Sequence, residues 1–234
     1  MRRLSIRLFA ALLPVAGRLS MIAVLLFPLT PPAPSAAAER IGIAVLGDSL
    51  SAGYGLAAGD AFTARLEAAL RRSGIDAQVI NAGVSGDTTA GGRARLDWML
   101  QDKPDLLLVE LGANDALRGL DPAQAEANLD AILAEAQQRQ IPVLLAGMRA
   151  PRNLGADYVR RFEAIYPRLA KKYAVELYPF FLEGVAGVPA LNQEDGLHPN
   201  AHGVEEIVRR MLPQVRRMAA EVVAGERKTP QEPD

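Results

Sequence analysis

Ile41-Gly-Ile-Ala-Val-Leu-Gly-Asp-Ser-Leu50 opens with an apolar run that does not alternate in polarity and ends in a glycine-bounded turn. A strand of this kind is buried on both faces, as in a parallel sheet sandwiched by helices. Four further runs repeat the pattern: Ala77 to Asn81, Leu106 to Glu110, Pro142 to Gly147 and Val175 to Tyr178. Their starts lie about 30 to 36 residues apart, the length of a strand-helix-strand unit. The segments between them carry helix signals. Leu129, Ile132, Leu133 and Ala136 share one helical face behind Asp121 as N-cap and Pro122 at the first position. Val204, Ile207, Val208, Met211, Leu212 and Val215 do the same in a closing helix that Asn200 caps and Pro213 should kink. The expectation is an α/β fold, a three-layer αβα doubly wound sheet of five parallel strands, over residues 39–223.

The 234 residues are half apolar and 23% charged, which is ordinary for a globular protein with a large core. Residues 1–38 stand apart: four arginines and no acid, an apolar run from Leu19 to Leu29, then Ala36-Ala37-Ala38. This reads as a signal peptide and leader cleaved near Ala38, hence a secreted, periplasmic protein. The run is about half the roughly 20 residues a spanning helix needs, and prolines at 28, 31, 32 and 34 follow, so no stable membrane anchor is expected after cleavage. An uncleaved anchor is the alternative, because Leu8 to Val15 adds a second apolar block. Residues 224–234 lose apolar character and read as a flexible tail.

Removing the leader and its four arginines from 26 basic and 27 acidic residues leaves 196 residues with a formal charge of −5. With no basic run, nucleic acid is not expected as a partner. The absence of cysteine excludes disulfides, thiolate metal sites, a cysteine nucleophile and a lipidated N-terminal cysteine. A monomer is expected.

Ligands of a parallel α/β sheet bind beyond the carboxyl ends of its strands, so chemistry belongs in the loops that follow each run. Taken alone, Gly47-Asp48-Ser49-Leu50 is weak, since a serine after a strand is more often a turn former. Asp195-Gly-Leu-His198 changes the weighting, because a serine hydroxyl becomes nucleophilic when a histidine accepts its proton and a carboxylate orients the histidine. Asp195 and His198 meet side by side if their loop forms a helical turn. The loops after the second and third runs offer donors for a developing oxyanion: the backbone N–H of Gly86 and the side-chain amide of Asn114, together with the N–H of Ser49. Asp48 is a candidate anchor for the turn, and Asp87 for the cap of the helix beginning near Thr88. His202 reads as a surface or packing residue. Arg118 and Arg149 are candidates for steering an anionic head group, and Leu117, Leu120, Met148, Leu154 and Tyr158 for bordering an acyl groove, though core packing is the plainer reading of each apolar residue.

The four blocks, Gly-Asp-Ser-Leu, Asn-Ala-Gly-Val-Ser-Gly-Asp, Gly-Ala-Asn-Asp and Asp-Gly-Leu-His-Pro-Asn, appear in order and resemble the SGNH, or GDSL, hydrolases. The likeness covers the chain from Ile41 to Asn200 and looks closest to the periplasmic thioesterase I, lysophospholipase and arylesterase group. It implies a flavodoxin-like sheet, Ser49 as nucleophile, His198 as base, Asp195 as its orienter, and an oxyanion hole of Ser49, Gly86 and Asn114. It also implies no metal or organic cofactor, and acyl thioesters, aryl esters and lysophospholipids as substrates. A carbohydrate O-deacetylase and a non-catalytic lipid-binding module are the competing readings of the same blocks.

Overall fold

The computed structural model describes residues 40–225; the leader and most of the expected tail lie outside the described residues. Five strands form one parallel sheet in the order β2-β1-β3-β4-β5: β1 Ile41–Gly47, β2 Ala77–Gly83, β3 Leu106–Glu110, β4 Val143–Ala146 and β5 Glu176–Tyr178. Every residue of β3 and β4 is buried, as their unbroken apolar character demands. Ile43 sits in register with Val79 on one side and Leu106 on the other, so β1 is central.

The helices are α1 Ser49–Ala52, α2 Phe62–Arg72, α3 Thr89–Met99, α4 Ala113–Leu117, α5 Pro122–Gln138, α6 Ala156–Glu163, α7 Ile165–Tyr173 and α8 Ala201–Val223. Helices α2 and α8 pack together, and α3, α5 and α7 pack together, as the outer layers of a doubly wound sheet. Asp121 caps α5 by accepting from Ala123 N–H, with Pro122 at the start. Asn200 caps α8 by accepting from Gly203 N–H.

Helix α8 continues past Pro213 to Val223: the proline is exposed while Met211, Val215 and Met218 stay buried, so packing of the apolar face carries the helix beyond the hydrogen bond that proline cannot make. One local expectation is corrected. Thr88, not Asp87, caps α3, and the Asp87 carboxylate instead takes Arg95 Nε at 2.6 Å.

The chain leaves β1 toward β2 on one side and reaches β3 on the other, so the switch in strand order falls between β1 and β3. Loops after these two strands diverge and leave a crevice beyond the sheet's carboxyl edge. Ser49 follows β1 and Asn114 follows β3.

Candidate active site

Asp48 is the N-cap of α1, its Oδ1 accepting from Leu50 N–H at 3.0 Å. Ser49 therefore occupies the first helical position, where a backbone N–H has no acceptor within its own helix. The turn is tight. A Cβ on Gly47 would collide with Ser51 Oγ and lie 2.6 Å from Glu110 Oε2, so only glycine lets β1 pass so close to these side chains. Glu110, fully buried at the end of β3, accepts from Ser51 Oγ at 2.5 Å and from Asp48 N–H at 3.3 Å, pinning the turn from below.

The structure brings Ser49, His198 and Asp195 into one row. Nε2 of His198 lies 2.9 Å from Ser49 Oγ, and its Nδ1 lies 2.6 Å from Asp195 Oδ2. With the proton on Nδ1 donated to the carboxylate, Nε2 is free to accept from the hydroxyl. The loop reaches this arrangement without the expected helical turn: Gly196 has φ of +70°, and Asp195 Oδ1 accepts from the N–H groups of Leu197 and His198. These backbone donations, the one from His198 N–H foremost, then the His198 side chain and Leu197 N–H, hold the Asp195 carboxyl down at about 2.

The oxyanion candidates flank the same edge. Val84 N–H donates to Gly47 O at 3.1 Å, bringing the loop after β2 against the end of β1. Asp87 N–H closes a turn onto Val84 O with Gly86 at its third position, φ +84°, a conformation that favours glycine. Asn114 Nδ2 donates to Asp48 Oδ2 at 3.0 Å. Burial drives the Asp48 carboxyl up to about 6, against the opposing effects of the Leu50 N–H and Asn114 bonds. Burial, followed by the neighbouring Asp48 charge, holds Glu110 well above the usual carboxylate range.

The proposed groove residues divide. Tyr158 donates to Leu120 O at 2.8 Å, and Leu154 stands against Gly119, so Leu120, Leu154 and Tyr158 share the loop after α4; exposed Leu117 ends α4 itself. Met148 does not belong with them: it is 3% exposed and packed in the core, where the chain after β4 stays paired with the segment after β5 through Gly147 N–H to Tyr178 O and Phe181 N–H to Gly147 O. The crevice touching Ser49 is small, about 10 Å3, and is lined instead by Leu50, Gly53, Tyr54, Leu56, His198, Pro199 and Val204. Arg118 donates to Gly86 O at 2.7 Å, and Arg149 lies over the Phe180 ring and 3.5 Å from Glu183, so both are engaged locally. His202 is exposed on α8, its Nδ1 3.9 Å from Glu205 Oε2.

Several supporting residues escaped the sequence reading. Arg95 joins two strand ends and the loop before α3, donating to Ala82 O at 2.5 Å in β2, to Gly47 O at 2.8 Å in β1 and to the Asp87 carboxylate. The Asp115 carboxylate accepts from Thr89 N–H at 2.8 Å and from Thr89 Oγ1 at 2.6 Å, tying α4, which carries Asn114, to the start of α3. A lone arginine in a polar helix, or an aspartate in a turn, carries no sequence mark of such a partner. Among the described residues no group of three or more His, Asp or Glu side chains is arranged to hold a metal ion.

A Ser-His-Asp row at the switch point of a parallel sheet, with amide donors on the neighbouring loops, is the arrangement of an α/β acyl hydrolase. The chain belongs to the GDSL-like lipase/acylhydrolase family, whose sequence model matches residues 45–205. It is 45% identical over 168 residues to an arylesterase of Vibrio mimicus, covering 71% of this chain and 83% of that protein. It is also 45% identical over 165 residues to thioesterase 1/protease 1/lysophospholipase L1 of Escherichia coli strain K12, covering 70% of this chain and 78% of that one. Among solved structures, AlinE4, an SGNH-hydrolase family esterase, is 56% identical and superposes with a TM-score of 0.66 over 76% of this chain and 96% of AlinE4.

Proposed function

We propose that the chain is a serine ester hydrolase that cleaves acyl thioesters, aryl esters and lysophospholipids through an acyl-enzyme on Ser49. The observation that carries this reading is the continuous row from Ser49 Oγ through the His198 ring to Asp195, at 2.9 and 2.6 Å. In the cycle, Ser49 Oγ attacks the acyl carbonyl as His198 Nε2 takes its proton. The oxyanion is held by the N–H groups of Ser49 and Gly86 and by the Asn114 amide, and Asp195 steadies the imidazolium. His198 then returns the proton to the departing alcohol or thiol, the carbon–oxygen or carbon–sulfur bond breaks, and Ser49 is left acylated. Water, deprotonated by His198, attacks the acyl-enzyme and releases the acid. No step calls for a metal or an organic cofactor.

The names of the similar proteins support the substrate classes. The acyl preference is tested by comparing octanoyl with acetyl p-nitrophenyl esters: faster turnover of the longer ester is expected, and a preference for acetyl would favour the O-deacetylase reading. The nucleophile is tested by Ser49→Ala, which should abolish turnover with thermal unfolding nearly unchanged; an active variant would remove the assignment. A protein that never reacts with an active-site fluorophosphonate would instead point to a lipid-binding module.

The leader read from residues 1–38 supports an exported, periplasmic protein, and among the described residues no helix is long and apolar enough to cross a membrane. N-terminal sequencing of the exported protein, expected to begin near residue 39, checks the cleavage.

A further inference from the structure

We infer that Gln193 and Tyr54 form a clamp that sets the position of the His198 imidazole over Ser49. The inference rests on the proposed roles of Ser49 and His198, and concerns how groups 149 residues apart in sequence are held at 2.9 Å. The loop carrying His198 has little regular structure: one bridge between Asn192 and Pro199, and the Gln193 N–H to His198 O bond at 2.8 Å. Its triad carboxylate is also exposed, with 37% of the Asp195 side chain open to solvent. Neither feature ties the loop to the turn that carries Ser49.

Gln193 supplies that tie. Its Nε2 donates to Tyr54 O at 2.7 Å, across 139 residues, and to Pro199 O at 2.9 Å, so one amide spends both hydrogens bridging the two chain segments. The fit is close, since a Cβ on Gly55 would run into Gln193 Oε1. On the other side, Tyr54 N–H donates to Ser49 O at 3.1 Å. Tyr54 is thus fastened at its N–H to Ser49 and at its carbonyl to Gln193, while Gln193 brackets His198 through its own N–H and through the carbonyl of the next residue, Pro199. The Tyr54 ring then lies against the imidazole, centroids 4.7 Å apart and planes tilted by 39°. The ring limits rotation of His198 and offers its π face when the imidazole becomes cationic. The Tyr54 side chain is otherwise exposed, 54% for the residue, so burial of apolar surface does not account for its placement. Both are positioning residues, acting through His198.

The test uses the exported form of the enzyme, a soluble p-nitrophenyl ester and a small fluorophosphonate, whose reaction requires Ser49 and His198 but no acyl groove. Gln193→Leu and Tyr54→Ala are each expected to lower kcat by about 10- to 100-fold, the scale of a misplacement near 1 Å, with KM within about twofold. The labelling rate should fall by the same factor. Tyr54→Phe, which keeps the ring and the backbone bonds, should bring both rates back to within about twofold of the parent, and the double variant should lose little more than the worse single one, because both act on one ring. Unchanged kcat and labelling in Gln193→Leu and Tyr54→Ala, or losses confined to KM, would overturn the clamp. The two substitutions sit on separate surface segments, so if one variant fails to fold the other still decides. Failure of the clamp is distinguishable from failure of the nucleophile assignment: the latter would appear as an unlabelled parent or an active Ser49→Ala protein.

Discussion

Asn114 reaches back 66 residues along the chain to donate one hydrogen of its side-chain amide to Asp48 Oδ2 at 3.0 Å. Since Asp48 also caps the helix that begins at Ser49, one carboxylate fixes both the candidate nucleophile and a candidate oxyanion donor. The second amide hydrogen of Asn114 remains available to a reacting oxygen, and its direction is set before any substrate arrives.

Replacing that donor should be felt in catalysis more than in folding. Asn114→Ala is expected to lower kcat by about 10²- to 10³-fold, equivalent to roughly 2.7–4 kcal/mol of transition-state stabilisation, with little change in KM. Steady-state kinetics on an aryl ester read this directly, and an unaltered kcat would exclude Asn114 from the oxyanion hole.

Asp48 and Glu110 give stability a pH dependence whose sign follows from their shifts. Asp48 titrates near 6 in the folded protein against 3.8 for an ordinary aspartate, and Glu110 is displaced in the same direction. Between those two pH values the folded chain binds more protons than the unfolded one, so this contribution to stability is present in full below about 4 and is lost as pH rises through about 6. Asp195, lowered to about 2, acts oppositely and only in stronger acid, losing its contribution as pH falls from 3.8 toward 2. Urea unfolding from pH 4.5 to 7 should therefore show a decline that Asp48→Asn reduces; an identical slope in the variant would contradict the assignment.

Arg95 should act as a structural tie beneath the site. Arg95→Met removes its bonds to Asp87, Ala82 O and Gly47 O, and is expected to cost about 1–3 kcal/mol for carbonyls left without their donor. Denaturant titration measures this, and a loss within error of zero would show that solvent replaces the arginine freely.

Asp195→Asn separates orientation from stability. The amide can present its N–H toward His198 Nδ1 and select the wrong tautomer, so kcat should fall by as much as about 10⁴-fold. Asn keeps an oxygen that can accept from the N–H groups of Leu197 and His198, so losing the charge of this partly exposed side chain at neutral pH should lower the unfolding midpoint only modestly. Comparing kcat with thermal unfolding checks both halves, and wild-type kcat would disprove the orienting role.

Much of this site was legible in the chain because Ser49, Gly86 and Asn114 follow strand ends and His198 lies just before a capped helix, where one periodicity gives way to another. The double-sided burial of Leu106-Leu-Leu-Val109 and Val143-Leu-Leu-Ala146 announces a parallel sheet, and the turn residues that follow each strand then name the functional edge. Asp121 and Asn200 were readable as caps because capping is local chemistry between a side chain and the next few N–H groups. Asp87 misled for the same reason: its local role, capping, passes to Thr88, while its carboxylate meets Arg95 from the second turn of that same helix, a partner no capping preference marks. Met148 was a fair groove candidate by position, yet which way a side chain points after a strand depends on what the next segment covers.

By itself the sequence determined the number and kind of layers, the order of the four functional blocks and the chemistry their residue types can perform, because these follow from short-range periodicity, turn preferences and side-chain groups. Tertiary structure alone decided that Gln193 fastens the His198 loop to Tyr54, that Glu110 lies buried under the Ser49 turn, and that Arg95 gathers the ends of β1 and β2. These contacts join residues far apart in the chain, and their geometry exists only once the sheet register and helix packing have fixed where each backbone carbonyl and N–H points.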